Sequence, residues 1–294
     1  MTISAEIICD SISPKGKRIT TFILRYPRWL HPELMTHRAF SRNSSSSRAI
    51  PIRKLAESIL EDVSCPIVFR SNRAGMQGGE PLPPWKQAAC RVVWRIGALV
   101  AVTLARTLAN LGAAKETANR LQESYGHISV VLTATEFSNW FALRCHKMAQ
   151  PEIQKLANGM WELYQANKPR PVLIGQWHLP FVSQAEISHH FSTLGEAAVG
   201  SFNRDHWMPL IKRSVARCAR VSYLNHMNEV PTEDEDLKLY DRLVGSQPIH
   251  ASPAEHQASP FREAEIPSGN FVGWLQFRKT LEGENVESFS GPTA

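Results

Sequence analysis

Apolar and polar positions recur along this chain with two periods, and the changes of period mark its elements. Residues Arg18 to Tyr26 read Arg-Ile-Thr-Thr-Phe-Ile-Leu-Arg-Tyr, and the β-branched and aromatic content predicts a strand that Pro27 ends. Trp29 to Phe40 reads as a short helix, with Leu30, Leu34 and His37 on successive turns of one side and Pro32 confined to the first turn. Pro51 opens a second helix, Ile52 to Asp62, amphipathic through Ile52, Leu55, Ile59 and Leu60. Trp85 to Leu111 carries alanine, valine and leucine throughout, so a long helix buried on most sides is expected, followed after Gly112 by another over Ala113 to Glu123. Thr133 to Gln150 has helical spacing, and Asn139 and Arg144 interrupt its apolar face. Glu152 to Asn167 is a clear helix, its stripe of Ile153, Leu156, Ala157, Met160, Leu163 and Tyr164 predicting core.

Lys168 to Val182 holds three prolines and marks a boundary. The chain then reads as largely helical to about Tyr223, and Glu233 to Val244 forms another helix whose acidic first turn suits its N-terminus. Phe271 to Arg278 has the pattern of a short strand, and the polar, glycine-containing tail is expected to fray.

Composition narrows the class. The 294 residues suffice for one large domain or two smaller ones, with hydrophobic and charged fractions of 43% and 20%, as in ordinary globular proteins. No apolar run approaches a membrane span in this reading, and the N-terminus has no signal-peptide pattern, so no membrane partner is expected. The five cysteines show no CxxC pairing, which argues against a disulfide framework or zinc site and fits a reducing cytoplasm. The net charge of +6 suits several anionic small molecules as well as nucleic acid, but no basic run interleaved with aromatics is present, so nucleic acid ranks second.

Candidate chemistry concentrates in Met35 to Arg48, where three arginines, one histidine, one asparagine and five serines stand with no acidic residue. Arginine grips phosphate through paired hydrogen bonds, and hydroxyls and backbone N–H groups complete such a cradle. A flexible serine-rich linker has the same composition, but this segment lies between two strongly patterned ones. Arg70 to Pro84, rich in glycine and proline, is either a functional long loop or a linker. Asn139 with Arg144 is either a satisfied buried pair or a ligand contact. Pro248 to Gln257 contains two histidines and a glutamate, but the spacing is not that of a zinc helix and prolines interrupt it, so no metal is expected.

The run Thr36-His37-Arg38-Ala-Phe-Ser41-Arg-Asn43-Ser44-Ser-Ser46-Ser-Arg48 resembles the signature of the flavin-dependent thymidylate synthases, the ThyX family, Arg-His-Arg-x-x-Ser-x-Asn-Glu-x-Ser-x-Arg. Asn139-Trp-Phe-Ala-Leu-Arg144 with Ala149-Gln150-x-Glu152-Ile153 is similar to the family's second element. Ala219-Arg-Val-Ser222-Tyr223 and His250-Ala-Ser252-Pro-Ala-Glu255-His256 resemble elements that ordinary members carry first in the chain. Phe271 to Ser288 faintly resembles a second, degraded signature. The resemblance implies a permuted or partly duplicated member, similar to ones encoded by bacterial viruses, divided into a half with signature loop and helical core (residues 1–170) and a half with the flavin-binding elements and the degenerate copy (171–294). The chain departs from the family at Thr36 for arginine, Ser44 for glutamate, Glu33 for glutamine and Met148 for histidine.

What the resemblance implies is an α+β fold, a small mostly antiparallel sheet with a large helical part. The activity it implies is reductive methylation of dUMP, with FAD as cofactor and NADPH and methylenetetrahydrofolate as cosubstrates. Arg144 would hold the pyrimidine and stabilise charge developing on it, and Ser46, Arg48 and Arg120 would hold the nucleotide phosphate, with Glu33 and Ser44 also at the substrate. His37, Arg38, Ser41, Asn43, Asn139, Ser222, His250, Ser252 and Glu255 would surround the flavin. The family implies a homotetramer with shared active sites. Two alternatives stay open: hydroxymethylation of dUMP or dCMP by the same cofactors, and a non-catalytic nucleotide or nucleic-acid binder on this scaffold, the latter motivated by Thr36 and Ser44.

Overall fold

A computed structural model describes residues 2–75, 77–194, 203–222, 232–246 and 249–285. Its strands are β1 (Ser4–Ile12), β2 (Arg18–Pro27), β3 (Ser41–Ser44), β4 (His127–Ala134), β5 (Arg170–Pro171), β6 (Ala258–Pro260), β7 (Pro267–Ser268), β8 (Phe271–Val272) and β9 (Trp274–Gln276). Its helices are α1 (His31–Met35), α2 (Ile52–Glu61), α3 (Pro84–Asn110), α4 (Lys115–Ala118), α5 (Ser138–Arg144), α6 (Pro151–Ala166), α7 (Gln184–Leu194), α8 (Arg204–Ala219) and α9 (Glu233–Val244). The fold is α+β.

The main sheet has five strands in the order β3-β4-β2-β1-β5, antiparallel except for the short β1–β5 pair. Alternation along β2 and β4 sorts their side chains to two faces. Phe22, Leu24 and Tyr26 join Val130, Leu132 and Ala134 on one face, against Trp140 and Phe141 of α5 and Ile153, Leu156, Ala157 and Met160 of α6. The other face carries Ile23 and Val131 against Cys218 and Val221, and Ile19 against Phe271 and Trp274. The sheet is thus a middle layer, with N-terminal helices on one side and the C-terminal half on the other. That half has its own core, in which Trp177, Phe191, Trp207, Leu210, Ile211, Tyr240 and Phe277 meet.

The predicted strand at Arg18, the α2 and α6 helices and α9 all form, and α9 starts in a reciprocal capping box between Thr232 and Glu235. Other expectations change. The helix from Trp29 contracts to α1, because Arg42 and the turn at His37–Phe40 take over its last carbonyls. The serine segment is partly a strand, β3, because its backbone pairs with Val130–Thr133 of β4. Ala113 to Glu123 yields only the single turn α4 and two short tighter turns. Phe271–Arg278 is split into β8 and β9 by Gly273, whose φ of 78° interrupts the run.

The largest difference is α3. It buries one face only, Ala98, Ala101, Val102 and Ala105, against Leu55, Ala56 and Ile59 of α2 and its surroundings. Val93 on the opposite face is 69% exposed. Apolar composition all round a helix does not say whether the covering matter lies in the same chain. α3 is also long and apolar enough to cross a membrane, a property the sequence pattern hides because single arginines interrupt its apolar runs.

Candidate active site

The site is built where α1 ends. Arg42, from β3, donates through Nη1 to the carbonyls of Met35 and His37, both at 3.1 Å, and so caps the end of α1 with a fixed cation. Thr36 Oγ1 donates to the Glu33 carbonyl at 2.7 Å, tightening the same turn. Held this way, Glu33 and His37 face Arg144 at the end of α5. Arg144 Nε donates to His37 Nε2 at 3.1 Å, and its Nη1 lies 3.3 Å from Glu33 Oε2. The His37 ring is buried, edge-on to Trp140 at 4.8 Å and stacked on Phe40 at 5.7 Å. Burial first, then the charges of Arg144 and Arg42, hold its pKa below the usual histidine value. His37 is therefore neutral, and since Nε2 accepts from Arg144, its proton is on Nδ1.

Arg144, His37, Phe40 and Trp140 line a cleft of about 210 Å³ with Thr36, Arg38, Glu136, Asn139 and Leu143, and Glu33 touches this group through Arg144. Trp140 Nε1 is buried and without a partner. Arg38 and Asn139 are exposed, so their donors are free to meet a ligand. Arg144 is half-buried and pairs with Glu33 and His37, not with Asn139 as a buried pair would require.

The remaining residues of interest divide into two groups. Along β3, Asn43 Nδ2 donates to the Cys218 carbonyl at 3.0 Å and Ser252 Oγ donates to Asn43 Oδ1 at 3.2 Å. Ser41 is buried and accepts from Gln276 Nε2 at 3.0 Å, and the same amide reaches the Glu255 carbonyl at 3.1 Å. The Glu255 carboxylate pairs with Arg278, which also binds Glu284. Four residues proposed from sequence for the flavin thus meet at one seam, spending their hydrogen bonds on joining the C-terminal half to the sheet. His250 is exposed, with its backbone N–H on the Leu243 carbonyl. Ser222 closes the turn after α8, and its side chain lies outside the described residues, as does Tyr223.

At the far end of β3 the serine segment is clamped. Asn119 Nδ2 donates to the carbonyls of Ser47 and Ile50 at 2.7 and 2.9 Å, and Ser47 Oγ donates to Glu123 at 2.5 Å. Ser44 and Ser46 are half-buried, and Ser46 Oγ accepts from the Arg48 N–H at 3.3 Å. Arg48 and Arg120 are largely exposed, the first 3.9 Å from Glu116 and the second 2.9 Å from Glu123. Along the chain, the four-residue β3, roughly 13 Å long, lies between the His37–Arg38 turn at the cleft and Arg48.

Sequence reading missed two features. Arg42 sits at the signature's variable position, and the only available signal was a cation after a helix end. The other is a buried polar chain crossing the sheet. His256 Nδ1 meets Thr133 Oγ1 at 2.8 Å, Thr133 meets Thr21 at 2.7 Å, Thr21 meets His178 Nε2 at 2.8 Å, and His178 Nδ1 meets Ser11 Oγ at 2.8 Å. Burial pushes both histidines down to about 3. Its bonded partners lie 112 to 167 residues apart in the sequence, and no spacing rule joins them.

A guanidinium and a neutral imidazole on a ring-sized cleft, with a carboxylate paired to the guanidinium, suit a flat, polar-edged ligand. Residues 17–170 match the family described as thymidylate synthase complementing protein, which is just over half the chain. The chain belongs to that family. It is an enzyme of the pyrimidine C5 methyltransferase type, acting in one-carbon transfer to a pyrimidine nucleotide, and the family is in general flavin-dependent. Two solved structures are similar to it, both of the UMP/dUMP methylase PolB from Streptomyces cacaoi. The one bound with 5-Br UMP is 17% identical over 55% of this chain and 88% of that chain, with a TM-score of 0.46. The one bound with 5-Br dUMP is 18% identical over 55% and 90%, with a TM-score of 0.44. No curated protein sequence matches the chain.

Proposed function

We propose that this chain reductively methylates dUMP to dTMP, with FAD as cofactor and NADPH and methylenetetrahydrofolate as cosubstrates. The observation that carries this reading is Arg144, set on the cleft with a neutral His37 and paired with Glu33. Arg144 orients the pyrimidine and stabilises negative charge developing on its carbonyl oxygens, as fixed donors do in a site of low dielectric. Glu33 and His37 hold two of the guanidinium's N–H groups, leaving the others for the ring. Trp140 and Leu143 wall the cleft. Ser46, Arg48 and Arg120 take the nucleotide phosphate, with Ser44 beside them.

The residues fit a flavin at the same cleft. Its donor-rich rim and ring-sized volume suit the polar edge of a tricyclic ring, and His37, Arg38 and Asn139 would hold it. Bound there, the flavin supplies hydride chemistry that no side chain provides. Ser41, Asn43, Ser252 and Glu255 support that rim by fixing the C-terminal turn against β3. The bond between Asn43 and Ser252 supports the permuted order, with residues 1–170 as the signature half and 171–294 as the half with displaced flavin elements.

We further read the protein as a cytoplasmic homo-oligomer, a tetramer with shared sites, a reading supported by Arg48 lying past the far end of β3 from the His37–Arg38 turn. Subunits separately disabled by Arg48→Ala and Arg144→Ala regain activity when mixed if sites are shared. The first test is the absorbance spectrum of the purified protein, followed by product mass after incubation with each nucleotide and both cosubstrates. Flavin absorbance and a methyl group gained by dUMP are expected. A colourless protein that binds DNA with steep salt dependence would overturn the reading. One observation favours a second substrate: the Glu33 carboxylate next to Arg144 offers an acceptor to an exocyclic amine, so a hydroxymethyl group on dCMP would identify that alternative.

A further inference from the structure

The outer face of α3 is the part of the molecule that the proposed chemistry leaves unexplained. The helix is 27 residues long, about 40 Å at 1.5 Å per residue. Val92, Val93, Ile96, Leu99, Val100 and Leu104 on this face are each at least 50% exposed. Those six side chains present roughly 600 Å² of apolar surface, and Trp85 and Leu111 at the ends bring it to roughly 900 Å², against about 800 Å² per partner in a stable pair. The largest apolar patch on an isolated monomer is about 300–600 Å². The area therefore calls for a covering surface of about one protein interface.

The charges choose the partner. The helix contains no carboxylate, and the cations of its outer face are Lys86, Arg95 and Arg106. A parallel copy would set each of these against itself. An antiparallel copy does not. When Ile96 faces the partner's Val100, Val92 faces the partner's Leu104 and Trp85 faces the partner's Leu111. In that register Arg95 and the partner's Arg106 are offset by five residues, about 7 Å along the axis. The inner face is already committed to α2, and Arg91 is tied to the carbonyls of Pro66 and Ile67, which leaves no freedom for the helix to leave the protein and span a bilayer.

We propose that the outer face of α3 pairs antiparallel, across a two-fold axis, with α3 of a second copy of this chain. A two-fold pairing is self-complementary and closes on itself, so it buries both faces without leaving one open to further addition. The proposal deepens the homo-oligomer reading above and rests on it, naming the face and the register.

Sedimentation velocity of the full chain and of Ile96→Glu and Val93→Glu tests it. Both substitutions are on an exposed helical face, and circular dichroism of each variant checks that the fold is intact. The expected result is an associated wild type and variants that fall to a smaller species, with association weakened at least 100-fold. An associated wild type with unaffected variants overturns the α3 pairing and leaves the homo-oligomer reading standing. A wild type that is monomeric at tens of micromolar overturns both. Register is read from disulfide cross-linking under oxidised glutathione: Ile96→Cys with Val100→Cys in one chain cross-links copies, and Ile96→Cys alone does not. Equal cross-linking by Ile96→Cys alone overturns the antiparallel arrangement. Flotation of a monomeric wild type with phosphatidylglycerol vesicles, lost in Ile96→Glu, overturns the second copy as occupant.

Discussion

Lowering the pH from 7.5 to 5 should destabilise this protein through its buried polar chain. His178 and His256 have no exposed surface and are pushed by burial to about 3, against an ordinary value of 6.5. Both are neutral in the folded protein at pH 5, whereas in the unfolded chain they are almost fully protonated. The unfolded state thus binds the extra protons, and the stability they contribute is complete above pH 6.5 and lost as pH falls toward 3. At pH 5, 1.5 pH units below the unfolded value, each histidine costs about 2 kcal/mol, or about 4 kcal/mol for the pair. That is a large part of a total of about 5–15 kcal/mol. His31 and His127, both held down to about 4 chiefly by burial, act in the same direction, so the pair sets a lower bound. The assay is urea unfolding followed by tryptophan fluorescence at pH 7.5 and 5. His256→Asn keeps a group able to bond Thr133 and removes one titration, so its pH-dependent loss should be smaller by about 2 kcal/mol. A midpoint that is flat between the two pH values, or an Asn variant that keeps the full loss, refutes the reasoning.

Arg144→Ala should lower kcat/KM by about 100-fold or more if a fixed donor at the ring is lost. It should also raise the pKa of His37, which the guanidinium now holds down, and NMR titration of the imidazole reads this without any substrate. Arg42→Ala removes the cation capping α1 and should cost about 1 kcal/mol, seen as a thermal midpoint lower by about 2 °C. Asp236 is fully buried between Arg217 and Arg220, so Asp236→Asn should destabilise by about 3 kcal/mol or more in the same urea assay, and an unchanged midpoint would mean that the pair contributes nothing.

Elements with a strong local signal announce themselves: α6 packs a single stripe into the core beside α5, and β2, though buried on both faces, is dense in β-branched and aromatic residues. β4 does not, since Val130 to Ala134 is buried on both faces and a short apolar run carries no period. β1 was missed for the opposite reason, its buried end being Asp10 and Ser11, which serve hydrogen bonds instead of the apolar core. Among site residues, the signature spacing marked His37 and Arg38 and the second element marked Arg144, and the three line one cleft. The bond from Arg144 to Glu33 spans 111 residues, and that from Ser252 to Asn43 spans 209, distances over which no local pattern carries information. α3 misled because apolarity records only that a surface is covered.

β3 lies at the outside of the five-stranded sheet, with β4 on one side only. Its other side meets Ser252, Glu255 and Gln276. An open strand margin is a template for uncontrolled pairing between molecules, and here a turn and two side-chain amides from the end of the chain shield it. The same segment covers the Thr21 and Thr133 hydroxyls through His178 and His256. A chain released from the ribosome only as far as the β5 strand would show a bare margin and a bare polar seam together. Until residues 252–276 fold against β3, the protein is therefore exposed to aggregation.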